Sequence, residues 1–287
     1  ALPISRELTI QTHKVCKELS SFTTISTALI IGGQSLEESL EQLSFSPQMV
    51  IGSTGRVLDM LKRKKIDATY IHLLVLDEAD ELLSSGFKDQ IYDIFQFLSQ
   101  DIQVGLFTAT FPYHVELLCN RFMRDPVRLL IKSSQLSLEG IKQYKIVLQQ
   151  DRHKYDTIKD IFNRISVTQS IIYCNTIQRV EQLTKRMNND YFSVIDIHSN
   201  MDNKERISRL EEFKSGKARV LISSDITSRG IDIQQVSVVI NYDVPFNKHN
   251  YLHRIGRSGR WGRKGIAVNF VIPRDISKLK TIEKHLK

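Results

Sequence analysis

The stretch Leu73-Leu74-Val75-Leu76-Asp77-Glu78-Ala79-Asp80 decides the fold. Four consecutive aliphatic residues, with no polar alternation, suit a strand buried on both faces, as in a parallel sheet covered by helices on either side. Three carboxylates follow within four residues. Buried without partners they would be costly, so they must be solvated, paired or metal-bound. In open parallel sheets ligands sit beyond the carboxyl ends of the strands, which is where Asp77, Glu78 and Asp80 stand. An Asp there can hold Mg2+ through water against the phosphates of a nucleotide, and a neighbouring Glu can orient or deprotonate an attacking water. The same residues also read as the acidic N-terminus of a helix, which the helix dipole favours.

Working outward, the pattern repeats. Leu29-Ile30-Ile31, Met49-Val50-Ile51 and Val104 to Phe107 read as further strands, with helices such as Gln90 to Leu98 between them. The second half alternates more clearly. Ser170 to Cys174, Phe192 to Ile197, Ala218 to Ser223, Val236 to Asn241 and Ile266 to Ile272 read as strands. Val180 to Met187 and Lys204 to Phe213 read as helices, and a basic helix runs from Asp275. The polar stretch Lys132 to Glu139 carries neither signal. The expectation is an α/β chain of two domains, 1–131 and 140–287, joined by a linker at 132–139.

Bulk properties narrow the class. The 287 residues are 41% hydrophobic, enough for real cores. No apolar run approaches the roughly 20 residues a bilayer span needs, and His13, Lys14 and Lys17 break any signal-peptide pattern at the start. Cys16, Cys119 and Cys174 are far apart and odd in number, which suits buried free thiols in a reducing compartment rather than a zinc site or a disulfide framework. The formal charge of +8 and pI near 9.3 favour a polyanionic partner, although solvated basic faces account for such a balance equally well.

Four more constellations carry candidate chemistry, and all but the first follow strands. His253-Arg254-Ile255-Gly256-Arg257-Ser258-Gly259-Arg260 repeats arginine every third residue, with too little apolar surface for a core. Guanidinium groups suit the charge on a γ-phosphate in a transition state; the alternative is a solvated basic loop. Ser223-Ser224-Asp225 to Arg229-Gly230-Ile231-Asp232 offers hydroxyls and a permissive glycine for phosphate and ribose, or simply a turn. Thr108-Ala109-Thr110 could exchange hydrogen bonds between carboxylates and the other domain, or cap a helix before Pro112. Gly32-Gly33 and Ser53-Thr54-Gly55-Arg56 could present backbone N–H groups to phosphates.

In this order, and over essentially the whole chain, these motifs resemble the DEAD-box RNA helicases of superfamily 2. Glu139-Gly140-Ile141, Asn241 to Pro245, Asn250 to His253 and Gly262 to Gly265 are most similar to the initiation factor 4A subfamily. The resemblance implies two RecA-like domains that use ATP and Mg2+ and act on single-stranded RNA with little sequence preference. It implies that Asp77 holds the Mg2+ water shell and Glu78 the hydrolytic water, and that Asp80, Thr108 and Thr110 couple hydrolysis to the second domain. Arg257 and Arg260 match the arginine fingers, Asp232 the ribose contact, and His253 the interdomain network. Arg6, Gly33, Arg56, Thr176, Ser224 and Arg229 match positions that grip the RNA backbone. Translation-factor or mRNA-processing scaffolds would be partners of a monomer that is cytoplasmic, or else nuclear. A catalytically silent RNA clamp and a DNA helicase are the rival readings.

The sequence departs from the family in places. Ile4-Ser5-Arg6-Glu7-Leu8 stands for Pro-Thr-Arg-Glu-Leu, Ser53-Thr54-Gly55-Arg56 for Thr-Pro-Gly-Arg, and Thr108-Ala109-Thr110 for Ser-Ala-Thr. Ser223-Ser224-Asp225 stands for Thr-Thr-Asp, and Ser199-Asn200 for the Gly-Asp that follows His198. Most keep a hydroxyl or a backbone donor, but a proline that would stiffen the loop is lost at Thr54. The family's adenine-reading Q motif and GxGKT phosphate loop do not occur. The expectation is therefore a first domain truncated at its N-terminus, with an open sheet edge, and little or no ATPase activity in this polypeptide alone.

Overall fold

The structure, a computed structural model, describes residues 1–3, 5–84, 86–130, 140–164, 168–225, 236–259 and 264–286. The chain divides into two compact units, Ala1–Arg128 and Leu129–Lys287. The stretch 132–139, expected as the linker, lies outside the described residues.

Unit 1 contains, in order, α1 (Arg6–Leu19), β1 (Thr27–Ile30), α2 (Leu36–Ser44), β2 (Met49–Gly52), α3 (Thr54–Lys62), β3 (Leu73–Leu76), α4 (Ala79–Ser84), α5 (Lys88–Phe97), β4 (Gln103–Leu106) and α6 (Tyr113–Phe122). β1 pairs with β2, and β3 with β4, all parallel. Residues 1 and 2 stitch the two pairs together. The Ala1 amine donates to Val50 O at 2.8 Å, the Gly52 N–H donates to Ala1 O at 3.0 Å, and Leu2 forms a parallel bridge with Leu76. β4 has no strand on its outer edge among the described residues. Helix starts are fixed by short polar side chains. Ser5 Oγ accepts from the Leu8 N–H, and Ser35 Oγ from the Glu38 N–H, in a Ser-x-x-Glu capping pattern.

Unit 2 contains β5 (Ile141–Val147), α7 (His153–Arg164), β6 (Ser170–Tyr173), α8 (Ile177–Asn189), β7 (Val194–Ile197), α9 (Asn203–Lys214), β8 (Val220–Ser223), β9 (Val238–Asn241), α10 (Lys248–Ile255), β10 (Gly265–Val271) and α11 (Ile276–Leu286). They build one six-stranded parallel sheet in the order β5-β10-β9-β6-β8-β7. Every residue of β6, β8 and β9 is buried. Alternate residues explain why: Ile172, Ile222 and Ile240 pack with Tyr155, Val180 and Met187 of α7 and α8. Ile171, Leu221 and Val239 pack with Leu210 and Phe213 of α9, while Tyr251 and Leu279 belong to a further cluster under α10 and α11. Among the described residues no helix is long and apolar enough to cross a membrane.

β5 was not expected. It runs the full seven-residue register of β10, yet as an edge strand its central residues Lys142 to Lys145 are exposed, so it carries no apolar run to announce it.

Candidate functional site

In unit 1 the carboxylates gather at the ends of β3 and β4. The chain turns sharply after Asp77, and Glu78 adopts φ 52°. Left-handed backbone in a non-glycine residue is strained by about 1–2 kcal/mol, and such strain clusters at functional sites. The turn lets the Glu78 carbonyl accept from the Glu81 and Leu82 N–H groups at 3.0 Å each, which starts α4. The Asp77 Oδ1 accepts from the Glu78 N–H at 2.9 Å. Burial lifts the Asp77 carboxyl above the usual carboxylate range, the Glu78 N–H partly offsets this, and the Asp80 charge adds to the rise. A cation held near Asp77 would relieve both the burial and the like charge, and hard oxygen donors suit Mg2+. The residues therefore fit the expected ion.

Asp80 is 5% exposed and fully engaged. The Thr110 hydroxyl donates to its Oδ2, the Glu81 N–H donates to its Oδ1 at 3.1 Å, and its own N–H donates to Thr108 Oγ1 at 3.2 Å. Thr108 Oγ1 in turn donates to Thr110 O at 2.7 Å. The two threonines thus form a latch between β4 and the start of α4. The alternative role as a helix cap fails, because α6 is preceded by Pro112 with no side-chain cap.

A second group lies at the ends of β1 and β2. Gly33 has φ 93°, the left-handed region that glycine tolerates. The Gly32 N–H donates to Ser53 Oγ at 3.1 Å, so the serine replacing the family's threonine ties the two strand ends. The Arg6 guanidinium lies close against Gly32, where an added Cβ would fall 3.2 Å from it. The Arg56 guanidinium donates to Ser35 O, Ser39 Oγ and Gln34 O at 2.8–3.1 Å. Its fork holds the glycine turn and the start of α2, while Arg6, Gly33 and Arg56, the positions expected to grip RNA, share one end of the β1–β2 pair.

In unit 2 the arginine-rich segment differs from expectation. Read from composition it is too polar for a core, yet His253, Arg254, Arg257 and Ser258 are all buried, Arg254 completely. Burial is tolerable because the guanidinium is satisfied. Arg254 donates to Asp225 Oδ1 at 2.5 Å, Asp243 O and Asn175 Oδ1 at 2.8 Å, and Asn241 Oδ1 at 3.3 Å. One side chain so ties the ends of β6, β8 and β9 to α10. The solvated-loop alternative is overturned for 253–258. The Arg257 Nε donates to His253 O at 3.3 Å, in the turn where α10 ends at Gly256. Gly265 lets that turn pack closely, since a Cβ there would fall 2.5 Å from Gly259 N and 2.6 Å from Ser258 Oγ.

Thr176 caps α8, accepting from the Arg179 N–H at 3.3 Å. Ser224 follows β8, and its carbonyl accepts from Ser223 Oγ at 3.0 Å. Arg229, Asp232 and Arg260 lie outside the described residues. Sequence reasoning missed Arg254, Asn175, Asp243 and Lys154. Lys154 is 1% exposed and lies 3.0 Å from both Asp151 and Asp243. The available signals were a lysine on the apolar stripe of α7 and asparagines, Asn241 and Asn269, inside otherwise apolar strands.

Comparison with known proteins identifies the family. A DEAD/DEAH box helicase model matches residues 3–118, and a helicase conserved C-terminal domain model matches residues 153–262. Eukaryotic initiation factor 4A of Caenorhabditis elegans is 48% identical over 281 residues, covering 98% of this chain and 70% of that protein. The ATP-dependent RNA helicase eIF4A of Kluyveromyces lactis is 48% identical over 280 residues, covering 98% and 71%. Among solved structures, Saccharomyces cerevisiae Dbp5 bound to RNA and ADP BeF3 matches with a TM-score of 0.91 at 32% identity, over 99% of this chain and 74% of that one. The chain belongs to the DEAD-box RNA helicases and within them is similar to initiation factor 4A.

Proposed function

We propose that the protein uses ATP to bind single-stranded RNA, separating short duplexes or remodelling RNA–protein complexes by drawing its two units together and releasing them. The observation that carries this reading is the latch at the ends of β3 and β4, where Thr110 and Thr108 are bonded to Asp80 beside Asp77 and Glu78. A change in the phosphate state near Asp77 has there a short path to the loop after β4. Bound Mg2+ and ATP supply the phosphoanhydride and the charge neutralisation. Asp77 would hold the ion's water shell, and Glu78, its carboxylate set by the strained turn, would orient the attacking water. Arg257 and Arg260 would place positive charge on the transferring phosphate, and Asp232 would contact the ribose. Arg6, Gly33 and Arg56 in unit 1, with Thr176, Ser224 and Arg229 in unit 2, would track the RNA backbone and read little sequence. Partners from translation or mRNA processing, a monomeric state and a cytoplasmic or nuclear location belong to the same reading.

The 287 residues contain no GxxxxGK[ST] loop, so this polypeptide alone should turn over little or no ATP. Robust RNA-stimulated hydrolysis by it would refute that expectation. The enzyme reading is tested in the full-length gene product with Glu78→Gln. Turnover should fall by at least a hundredfold while RNA binding persists. An unchanged ATPase rate would remove Glu78 from the chemistry, and RNA stimulation matched by DNA would point to the wrong nucleic acid.

A further inference from the structure

Outside the clusters above, unit 2 holds a cavity of about 250 Å3 between the turn leading into α7 and one face of α8. Asp151 and Arg152 come from the turn, Arg179, Gln182 and Arg186 from α8, and Tyr242 from the segment after β9. Three guanidinium groups face one carboxylate, a formal excess of two positive charges. Moreover the carboxylate is already engaged. Arg179 donates to both Asp151 oxygens at 2.9 and 3.1 Å, and the Lys154 ammonium lies 3.0 Å away. The remaining charge of the cavity is therefore cationic, at Arg152 and Arg186.

Two observations mark this as more than a basic surface. Tyr242 is nine-tenths buried at 9% exposure, with the Arg179 guanidinium 5.1 Å and the Lys154 ammonium 5.2 Å from its ring. Yet its hydroxyl makes no hydrogen bond among the described residues. Burial pushes the phenol's pKa up, so the hydroxyl keeps its proton and remains a donor. Arg186, meanwhile, stacks on the Tyr155 ring at 3.8 Å. Stacking engages the face of a guanidinium and leaves its in-plane N–H fork for an oxyanion. Arg152 is exposed and makes no ion pair among the described residues.

We propose that this cavity binds a small phosphate monoester, whose oxygens accept from the Tyr242 hydroxyl and from the Arg152 and Arg186 guanidinium groups, with the Gln182 amide beside them. A dianionic phosphoryl group matches the twofold positive excess, and the tetrahedral oxygens suit donors arriving from the turn, the helix and the floor. A diester backbone carries one charge per phosphate and needs an open track, whereas this is a cavity off one helix face.

The test titrates the 287-residue protein with inorganic phosphate and with glycerol 3-phosphate at constant ionic strength, following 31P line width and calorimetric heat. Saturable binding is expected. Tyr242→Phe, which removes only the hydroxyl, should weaken it about tenfold. Arg152→Ala alters only an exposed side chain and should weaken it by a similar factor; combined with Arg186→Ala the loss should reach about a hundredfold. Absence of saturable binding, affinities unmoved by these variants, or full displacement by single-stranded RNA would each overturn the assignment. The last would place the cavity on the RNA track.

Discussion

Replacing Arg254 by alanine would remove four hydrogen bonds at once and strand their acceptors. Asn175 and Asn241 would lose a donor inside unit 2, and the Asp225 carboxylate would lose its guanidinium partner while keeping the Asn250 amide at 2.9 Å. Breaking a buried charge pair by deleting one partner costs about 3–5 kcal/mol. The Asp225 side chain is 25% exposed, so water takes up part of the orphaned charge, and the lower end, about 3 kcal/mol, is the expectation. Against a whole stability of about 5–15 kcal/mol that is a large fraction. For a unit of this size it corresponds to a fall of about 6–12 °C in melting temperature. Hydrogen exchange read separately for the two units should show the loss in β6, β8 and β9 and leave unit 1 unchanged. Arg254→Lys keeps the charge but not the fork, and should recover less than half. A melting temperature within about 2 °C of the parent for Arg254→Ala would refute the view that this guanidinium holds the strand ends together.

Other outcomes follow from the same geometry. Thr110→Val removes the donor to the buried Asp80 carboxylate and should destabilise unit 1 by about 2 kcal/mol, measured by denaturant titration. In the full-length gene product it should also lower the stimulation of ATPase by RNA more than RNA-independent turnover. Glu78→Gly should relieve the left-handed strain and stabilise unit 1 by about 1 kcal/mol, while abolishing turnover; a destabilised variant would contradict the strain argument. Burial alone would raise the Asp151 carboxyl, but hydrogen bonds from Arg179 and Lys154 outweigh it and hold it at about 2. A carboxylate depressed in the folded state adds stability above its unfolded pKa, which is lost as pH falls through the folded one. Discounted for the 39% exposure of its side chain, this is about 1 kcal/mol lost between about pH 4 and pH 2. In Asp151→Asn that part of the acid-stability profile should flatten.

How much of this is legible in the sequence depends on the kind of burial. β3, β6, β8 and β9 each carry a run of three or four apolar residues, and β10 is apolar apart from Asn269; the end of β3 places Asp77 and Glu78 within two residues, while His253 and Arg257 come from α10 and the turn after it. β5 is invisible because an edge strand with a solvated middle, Lys142 to Lys145, has lost the apolar pattern while keeping its backbone ladder. The Asp80 to Thr110 bond joins residues thirty apart whose motifs each stood at a strand end; the motifs were readable, the pairing was not. Nothing in composition sets Arg254 apart from the neighbouring arginines as a buried side chain. Only the convergence of Asp225, Asn241, Asp243 and Asn175 from three strand ends, a product of topology, makes its burial affordable in solvation terms.

The same network bears on the role proposed for Arg257. Electrostatic stabilisation of a transition state is effective when the charge is held in place before the reaction rather than organised during it. Arg257 sits in a turn with two independent anchors. Three residues earlier, Arg254 fixes the last turn of α10 to three strands. On its far side, Gly265 admits the Gly259 amide and the Ser258 side chain to distances that a Cβ would forbid. Gly265→Ala should therefore act on Arg257 without touching it. The methyl group would push the turn outward by several tenths of an ångström, lowering RNA-stimulated turnover in the full-length gene product while leaving the fold of β10 and the affinity for RNA close to the parent. If Gly265→Ala left turnover intact, the position of Arg257 would not depend on this packing, and the anchoring would have to come from Arg254 alone.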